Sequence, residues 1–184
     1  MIIKVIPKKL DKTITANDIR SFVGDCDNAV IEFISCANAF GNRVRITDGV
    51  SSSVKETILA FNAKGTKIKI NKPYLLPAFA VLSCYAFSKT EITVVGASDI
   101  EKTVSLVSSL GVECSVNANV LTVNGKGGIQ GGIKINASDF YSVIALMLAG
   151  TETEEPIEIQ TDCKQAIDFC KLFTYLGGDC KVIE

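Results

Sequence analysis

Apolar and polar positions along this chain follow two rhythms. Alternation at every second residue predicts half-buried strands at 2–6, 13–15, 43–46, 67–70, 91–95, 113–116, 133–136, 157–159 and 180–183. Apolar residues at helical spacing predict helices at 29–39, 78–87 and 138–148. Three further helices are announced by a possible capping pair: Ser53-x-x-Glu56, Ser98-x-x-Glu101 and Asp162-x-x-Gln165. After the third pair, Ala166, Phe169, Cys170 and Phe173 share one helix face. A glycine suited to a left-handed stop follows each helix, at Gly65, Gly111 and Gly177. Each capped helix stands between two strands, and an apolar helix precedes the first of them. The order predicts a helix–strand–helix–strand unit repeated three times. Residues 18–27 carry the least legible pattern.

The stretch that opens the last unit is GGIQGG, where Gly127, Gly128, Gly131 and Gly132 bracket Ile129 and Gln130. Glycine tolerates the positive φ that a tight reversal needs. The segment from Asn124 to Gly128 has no Gly-Lys-Ser/Thr opening a helix, so it is a turn and not a phosphate loop.

Composition narrows the class. With 184 residues, 47% of them apolar, the chain is long enough for one domain with a sound core. A net charge of −1 argues against a nucleic-acid partner. No stretch reaches the roughly 18 apolar residues of a membrane span, and MIIKVIPKKL alternates like a strand rather than a signal peptide. A cytoplasmic protein is expected. The seven cysteines show no C-x-x-C pair and are expected to be small buried hydrophobes. The chain has no histidine, which removes Ser-His-Asp and Cys-His catalysis. Cys163 and Cys170 lack further metal ligands, so no metal and no cofactor is expected. Lys67 and Lys69 point off one strand face, either as a solvated edge or, with Lys72, as an anion-contacting patch.

The residues of the last third resemble a known family. GGIQGG, then Ala137-Ser138-Asp139-Phe140, then ALML, then Cys163-Lys164-Gln165-Ala166-Ile167-Asp168 and Leu176-Gly177-Gly178 are similar to the third repeat in the N-terminal domain of the 5-enolpyruvylshikimate-3-phosphate synthase (3-phosphoshikimate 1-carboxyvinyltransferase) family. There the pattern is GG-x-x-GG, a strand, S-S-Q-F, and later S-K-P-Y-I-D. The opening IKVIPKKLDKTIT is similar to the family's first strand pair. The resemblance implies an α/β fold of three βαβαββ-type repeats, helices inside and sheets outside, as an inside-out α/β barrel. It implies one domain over 1–184, with repeats near 1–70, 71–125 and 126–184, about half of the family's length.

The resemblance also implies a reaction: enolpyruvyl transfer from phosphoenolpyruvate to shikimate 3-phosphate, in aromatic amino-acid biosynthesis. Its anion-binding residues are not matched. The family's lysine and arginine at the first helix fall on Cys26 and Ile31, beside Asp25 and Asp27, which would repel an anion or cap a helix. Its G-N-A-G-T-x-x-R falls on KPYLLPAF, where Phe79 replaces the arginine and Pro73 and Pro77 remove backbone donors. Another arginine falls near Ser98. These apolar replacements either pack in the core or form a contact surface for a protein. The shikimate-contacting serine and tyrosine of S-K-P-Y-I-D become Cys163 and Ala166, while Lys164 and Asp168 match. Ser138, a helix cap or a ligand contact, and Lys164 are the substrate-binding candidates; no catalytic residue is assigned. The expectation is a family relative with a degenerate site, inactive as an isolated chain. Its partners would be a phosphorylated small molecule and a second domain or a further copy. The other expectation is a non-catalytic domain of the same fold that binds a small ligand or a protein.

Overall fold

The computed structural model describes residues 1–24, 28–60, 67–96 and 99–183, apart from the side chains of Ser53 and Ala60. The elements in order are β1 (Ile2–Ile6), β2 (Asp11–Ile14), α1 (Ala16–Val23), α2 (Ala29–Ser35), a 3₁₀ turn (Cys36–Phe40), β3 (Arg43–Ile46), α3 (Ser52–Ala60), β4 (Lys67–Ile70), a second 3₁₀ turn (Pro73–Leu75), α4 (Leu76–Ser83), β5 (Lys89–Val94), α5 (Ile100–Ser109), β6 (Cys114–Asn117), β7 (Val120–Asn124), β8 (Lys134–Asn136), α6 (Phe140–Ala149), β9 (Ile157–Gln160), α7 (Gln165–Tyr175) and β10 (Asp179–Ile183).

Three helices are apolar nearly all round, and such helices have to be buried. Every residue of α4 is buried, as are Ser142 to Ala149 of α6 and all of α2 except Ser35. α4 packs on α6. α5 and α7 are amphipathic and bury one side: Thr103, Leu106 and Val107 in α5, and Ala166, Phe169, Cys170, Leu172 and Phe173 in α7.

The strands form three sheets among the described residues, in the orders β10-β1-β9-β8, β4-β5-β7-β6 and β2-β3. Each sheet holds one parallel pair, β8/β9, β4/β5 or β2/β3. A buried helix joins the two strands of each pair, because parallel neighbours need a crossover. In the two larger sheets the second strand of that pair continues antiparallel, as β5-β7-β6 and as β9-β1-β10. The N-terminal strand β1 therefore takes the place in its sheet that β7 takes in the other. β4 opens the sheet of β5 and does not pair with β3.

The closing turns of α5 and α7 match in detail. Gly111 N–H donates to Ser108 O at 2.9 Å and Val112 N–H to Val107 O at 3.4 Å; Gly177 N–H donates to Thr174 O and Gly178 N–H to Phe173 O, both at 3.0 Å. Cys114 Sγ lies 3.6 Å from Val104 O and 3.6 Å from Ser108 Oγ. Cys180 Sγ lies 3.6 Å from Cys170 O and 3.9 Å from Thr174 Oγ1.

Several local expectations are corrected. Among the described residues the three sheets are separate and form no closed barrel. The third capping pair is absent: Lys164 is the N-cap of α7, with no side-chain bond, and Thr161 Oγ1 accepts from Cys163 N–H instead. α5 is capped by Asp99, which accepts from Lys102 N–H at 3.3 Å. Among the described residues a full capping box is formed by Thr15 with Asp18, at the start of the unpredicted α1. Ser98, the Ser53 side chain and Gly65 lie outside the described residues. α4 starts before residue 78 and ends at Ser83, leaving Phe87 exposed. Cys36, Cys84 and Cys170 are buried, whereas Cys114, Cys163 and Cys180 are half-buried; Cys26 is outside the described residues. Burial pushes the Cys36 and Cys84 thiols up to about 12. Among the described residues no helix is long and apolar enough to cross a membrane.

Two glycines separate backbone strain from steric exclusion. Gly111 has φ +70° and the nearest atom to an added Cβ is Lys126 Nζ at 3.5 Å, whereas at Gly131 a Cβ would meet Glu155 O at 2.2 Å. Gly111→Ala is expected to lower stability by about 1 kcal/mol through the left-handed backbone alone, and Gly131→Ala by more. Urea unfolding measures both; equal or absent losses would contradict the two turn geometries.

Candidate functional site

In α/β proteins the loops leaving the C-terminal ends of parallel strands are the usual place for ligand chemistry. Here the loops after β3, β4, β5 and β8 meet. Phe33 of α2 stacks on Tyr141 of α6 with ring centroids 5.4 Å apart, and Tyr74, from the loop after β4, stacks on Tyr141 at 5.6 Å. Beside this stack lie two adjoining hollows of about 280 and 480 Å³ that share Lys102, Asp139 and Ser142. The smaller is walled by Pro73, Tyr74, Pro77 and Tyr141 and the larger runs along Ser105, Asn136 and Ser138.

The centre of this region is Glu32. It is the one acidic residue of α2, and it is 1% exposed. A carboxylate in that setting has to be paired and hydrogen-bonded. Lys72 and Tyr74, both from the loop after β4, donate to it, one to each oxygen. Ser51 Oγ, after β3, donates to Glu32 Oε1 at 3.1 Å, and Lys72 Nζ also donates to Ser51 Oγ at 3.3 Å. The four side chains come from one helix and two loops, so the network ties the loops to the core. It also neutralises Lys72.

The helix starts around the region are filled in the same way. Asp139 accepts from Ser142 N–H at 2.9 Å and caps α6. Asp99 caps α5 and pairs with Lys102 at 2.7 Å. The Lys102 ammonium holds the Asp99 carboxyl below its usual range, and Asp99 in turn raises Lys102. At α1, Asp48 accepts from Ala16 N–H at 2.7 Å, and Asp18 reaches back to Thr15 N–H at 2.9 Å. The bond from Thr15 N–H holds Asp18 below its usual range. A helix N-terminus attracts anions through its free N–H groups and its dipole. At α1, α5 and α6 the protein's own carboxylates already take that role.

The sequence candidates divide. Ser138 and Lys164 are exposed and follow the C-terminal ends of the adjacent strands β8 and β9. No hydrogen bond joins them among the described residues, and Asp139 rather than Ser138 caps α6. Ile31 and Phe79 are 0% exposed, and Leu75 and Leu76 are buried with them. They pack in the core and do not form a contact surface. Lys67 and Lys69 are exposed on the edge strand β4, where Lys67 pairs with Glu91; Lys72 alone of the three turns inward. Asp168 pairs with Lys171 at 2.8 Å, and Ala166 is buried. Asp25, Cys26 and Asp27 lie outside the described residues. Sequence reasoning passed over Glu32, Ser51, Tyr74, Asp99 and Tyr141. The lone carboxylate inside AVIEFIS was the legible signal.

No protein-family model and no curated protein matches the sequence. Solved structures do match. The fold is similar to that of enolpyruvyl transferases. The enolpyruvyl transferase NikO from Streptomyces tendae is 18% identical with a TM-score of 0.65, over 84% of this chain and 44% of that one. EPSP synthase from Acinetobacter baumannii is 17% identical with a TM-score of 0.63, over 85% of this chain and 47% of that one. A second structure of that enzyme gives 16% and 0.60 over 85% and 46%. This chain spans less than half the length of each.

Lys72→Met would leave the Glu32 carboxylate buried without its counter-charge, with an expected loss of roughly 3 kcal/mol. Adding Glu32→Gln should recover most of it, since the buried charge is then gone. Chemical denaturation of the wild type, both single variants and the double variant closes the cycle. A Lys72→Met protein as stable as wild type would show that the pair is not the anchor of the network.

Proposed function

We propose that this chain is a half-length relative of 3-phosphoshikimate 1-carboxyvinyltransferase that does not transfer enolpyruvate by itself. The observation that carries the reading is the pairing of Lys72 with buried Glu32 where the family resemblance leads one to expect cations open to substrate. The family's reaction joins two anionic substrates, and charge-assisted bonds from lysine and arginine hold such groups. On this face Lys102 is also paired, and carboxylates occupy the starts of α1, α5 and α6. Losing one charge-assisted bond weakens binding by about 1.5–3 kcal/mol. A second half, as the length of the matched structures suggests, would be needed to close a site over this face.

Ser138 and Lys164 are the residues we assign to ligand contact, because both are exposed at neighbouring strand ends and Lys164 has no ion pair among the described residues. We also infer one domain of three related units in a cytoplasmic protein of the shikimate-pathway family. The matched closures of α5 and α7 and the shared strand order of two sheets support the relation of the second and third units. We take the units to run near 1–70, 71–125 and 126–184; β4, at the end of the first range, pairs with β5 of the second.

The second reading is a non-catalytic binding domain of the same fold. The tyrosine- and proline-walled hollow favours it, since those walls suit a flat, uncharged group better than a phosphate.

Calorimetric titration with shikimate 3-phosphate and then phosphoenolpyruvate, alongside a phosphate-release assay, separates the outcomes. The expected result is no sub-millimolar binding and no turnover. Sub-millimolar binding of either anion, or turnover above background, would restore the enzymatic reading.

A further inference from the structure

The smallest sheet is two strands short of the others, and its surroundings are built for what is missing. In the two larger sheets an antiparallel strand covers the second strand of the parallel pair, β7 on β5 and β1 on β9. No described strand covers β3 in this way. Beside β3 runs a groove of about 430 Å³, lined by Val44, Ile46, Val50, Ile58 and Leu59 with Arg45 and Lys55 at its polar side. Counted from the end of the preceding strand, Ile58 and Leu59 of α3 stand where Leu106 and Val107 stand in α5 and where Leu172 and Phe173 stand in α7. Those four are at most 5% exposed, and their helices pack on β6 and β7 or on β10. Leu59 is 83% exposed.

The free edge of β3 is partly closed by one side chain. Asn38 Nδ2 donates to Val44 O and Asn38 Oδ1 accepts from Val44 N–H, both at 2.7 Å. That is the pair of bonds a neighbouring strand would make. Asn38 is itself exposed and gives no apolar cover to Ile58 or Leu59.

We propose that the β3 edge and the groove beside it accept an extended strand of another polypeptide, antiparallel to β3, with apolar residues toward the groove and acidic residues outward. The added strand displaces the Asn38 carboxamide and replaces its two hydrogen bonds, as in strand addition to an open sheet edge. Charge selects the outward residues: Arg43 and Arg45 are both exposed on that face, and Lys55 lines the groove. A second copy of the chain is disfavoured. The backbone groups free at this edge belong to Val44 and Ile46, and each antiparallel register that pairs Val44 with Val44 or Ile46 of the copy sets two arginines opposite one another; like charges directly across a pair are destabilising.

The probe is a fluorescent octapeptide alternating Glu and Val, titrated into the full chain and followed by anisotropy. Saturable binding is expected, weakened at least tenfold by Arg45→Glu and by Leu59→Asp, and tightened several-fold by Asn38→Ala. The same peptide with Lys for Glu should not bind, and the Ile46 amide should gain exchange protection in the complex. Both weakening substitutions are at exposed positions, and circular dichroism checks that the variants fold. No saturable binding to either wild type or Asn38→Ala would overturn the proposal. So would equal binding of the Lys peptide, or a dimer in light scattering that Arg45→Glu dissolves.

Discussion

Burial of three helices that have almost no polar side is the constraint on which the rest depends. α2, α4 and α6 have to be enclosed, because exposing any of their faces would give up about 1.5–3 kcal/mol per large apolar side chain. Each lies within a parallel crossover, so its own two strands cover part of it and strands added to the pair cover more. Enclosure by sheets explains why strand residues alternate while the helices between them do not. It also explains why the most apolar helices, and not the sheets, hold the centre.

The same constraint shapes the candidate site. Glu32 sits on a helix that the fold must bury, so its charge has to be met from within the protein. Lys72 and Tyr74 can reach it because the loop after β4 passes the start of α2. The result draws the Lys72 ammonium toward the core. A self-paired buried charge is weak evidence for stability, since a well-packed apolar pair often does as well. Its clearer effect is electrostatic: Lys72 and Lys102 are both neutralised by carboxylates, and carboxylates occupy three helix starts.

Element type was legible wherever the apolar period was long. The buried helices and the strands at 43–46, 67–70 and 157–159 followed directly from it. The misses have particular causes. α1 carries Asp18, Arg20 and Ser21 among its apolar residues, so its period is thin, and its signal was the Thr15–Asp18 box, an aspartate variant of the usual pair. Caps were placed on Ser138 and Asp162 by residue type, yet which side chain meets an N–H depends on where the preceding strand releases the chain. Sheet partners were the least legible, because β1 finds its place between β9 and β10 at the opposite end of the sequence. At the site, attention went to positions where the family resemblance implies a charge and this sequence has none. Ile31 and Phe79 are core residues, and the charge that organises the region stands one residue beyond Ile31, inside the helix.

Each of the three sheets meets the strand following its parallel pair in a different way. One is completed by the local hairpin of β6 and β7, and one by the distant N-terminal strand. The third meets the hydrogen-bonding part of the requirement with a single carboxamide. A strand supplies two things at once, paired backbone groups and apolar cover, and Asn38 can supply the first at Val44 but not the second. An edge whose polar groups are satisfied is protected against indiscriminate pairing. An edge whose apolar flank remains uncovered still gains from a strand that brings the right side chains. Those two properties together make β3 selective: at Val44 backbone pairing alone would gain little, since there it trades two bonds for two, so the side chains of the incoming strand weigh heavily in whether it stays.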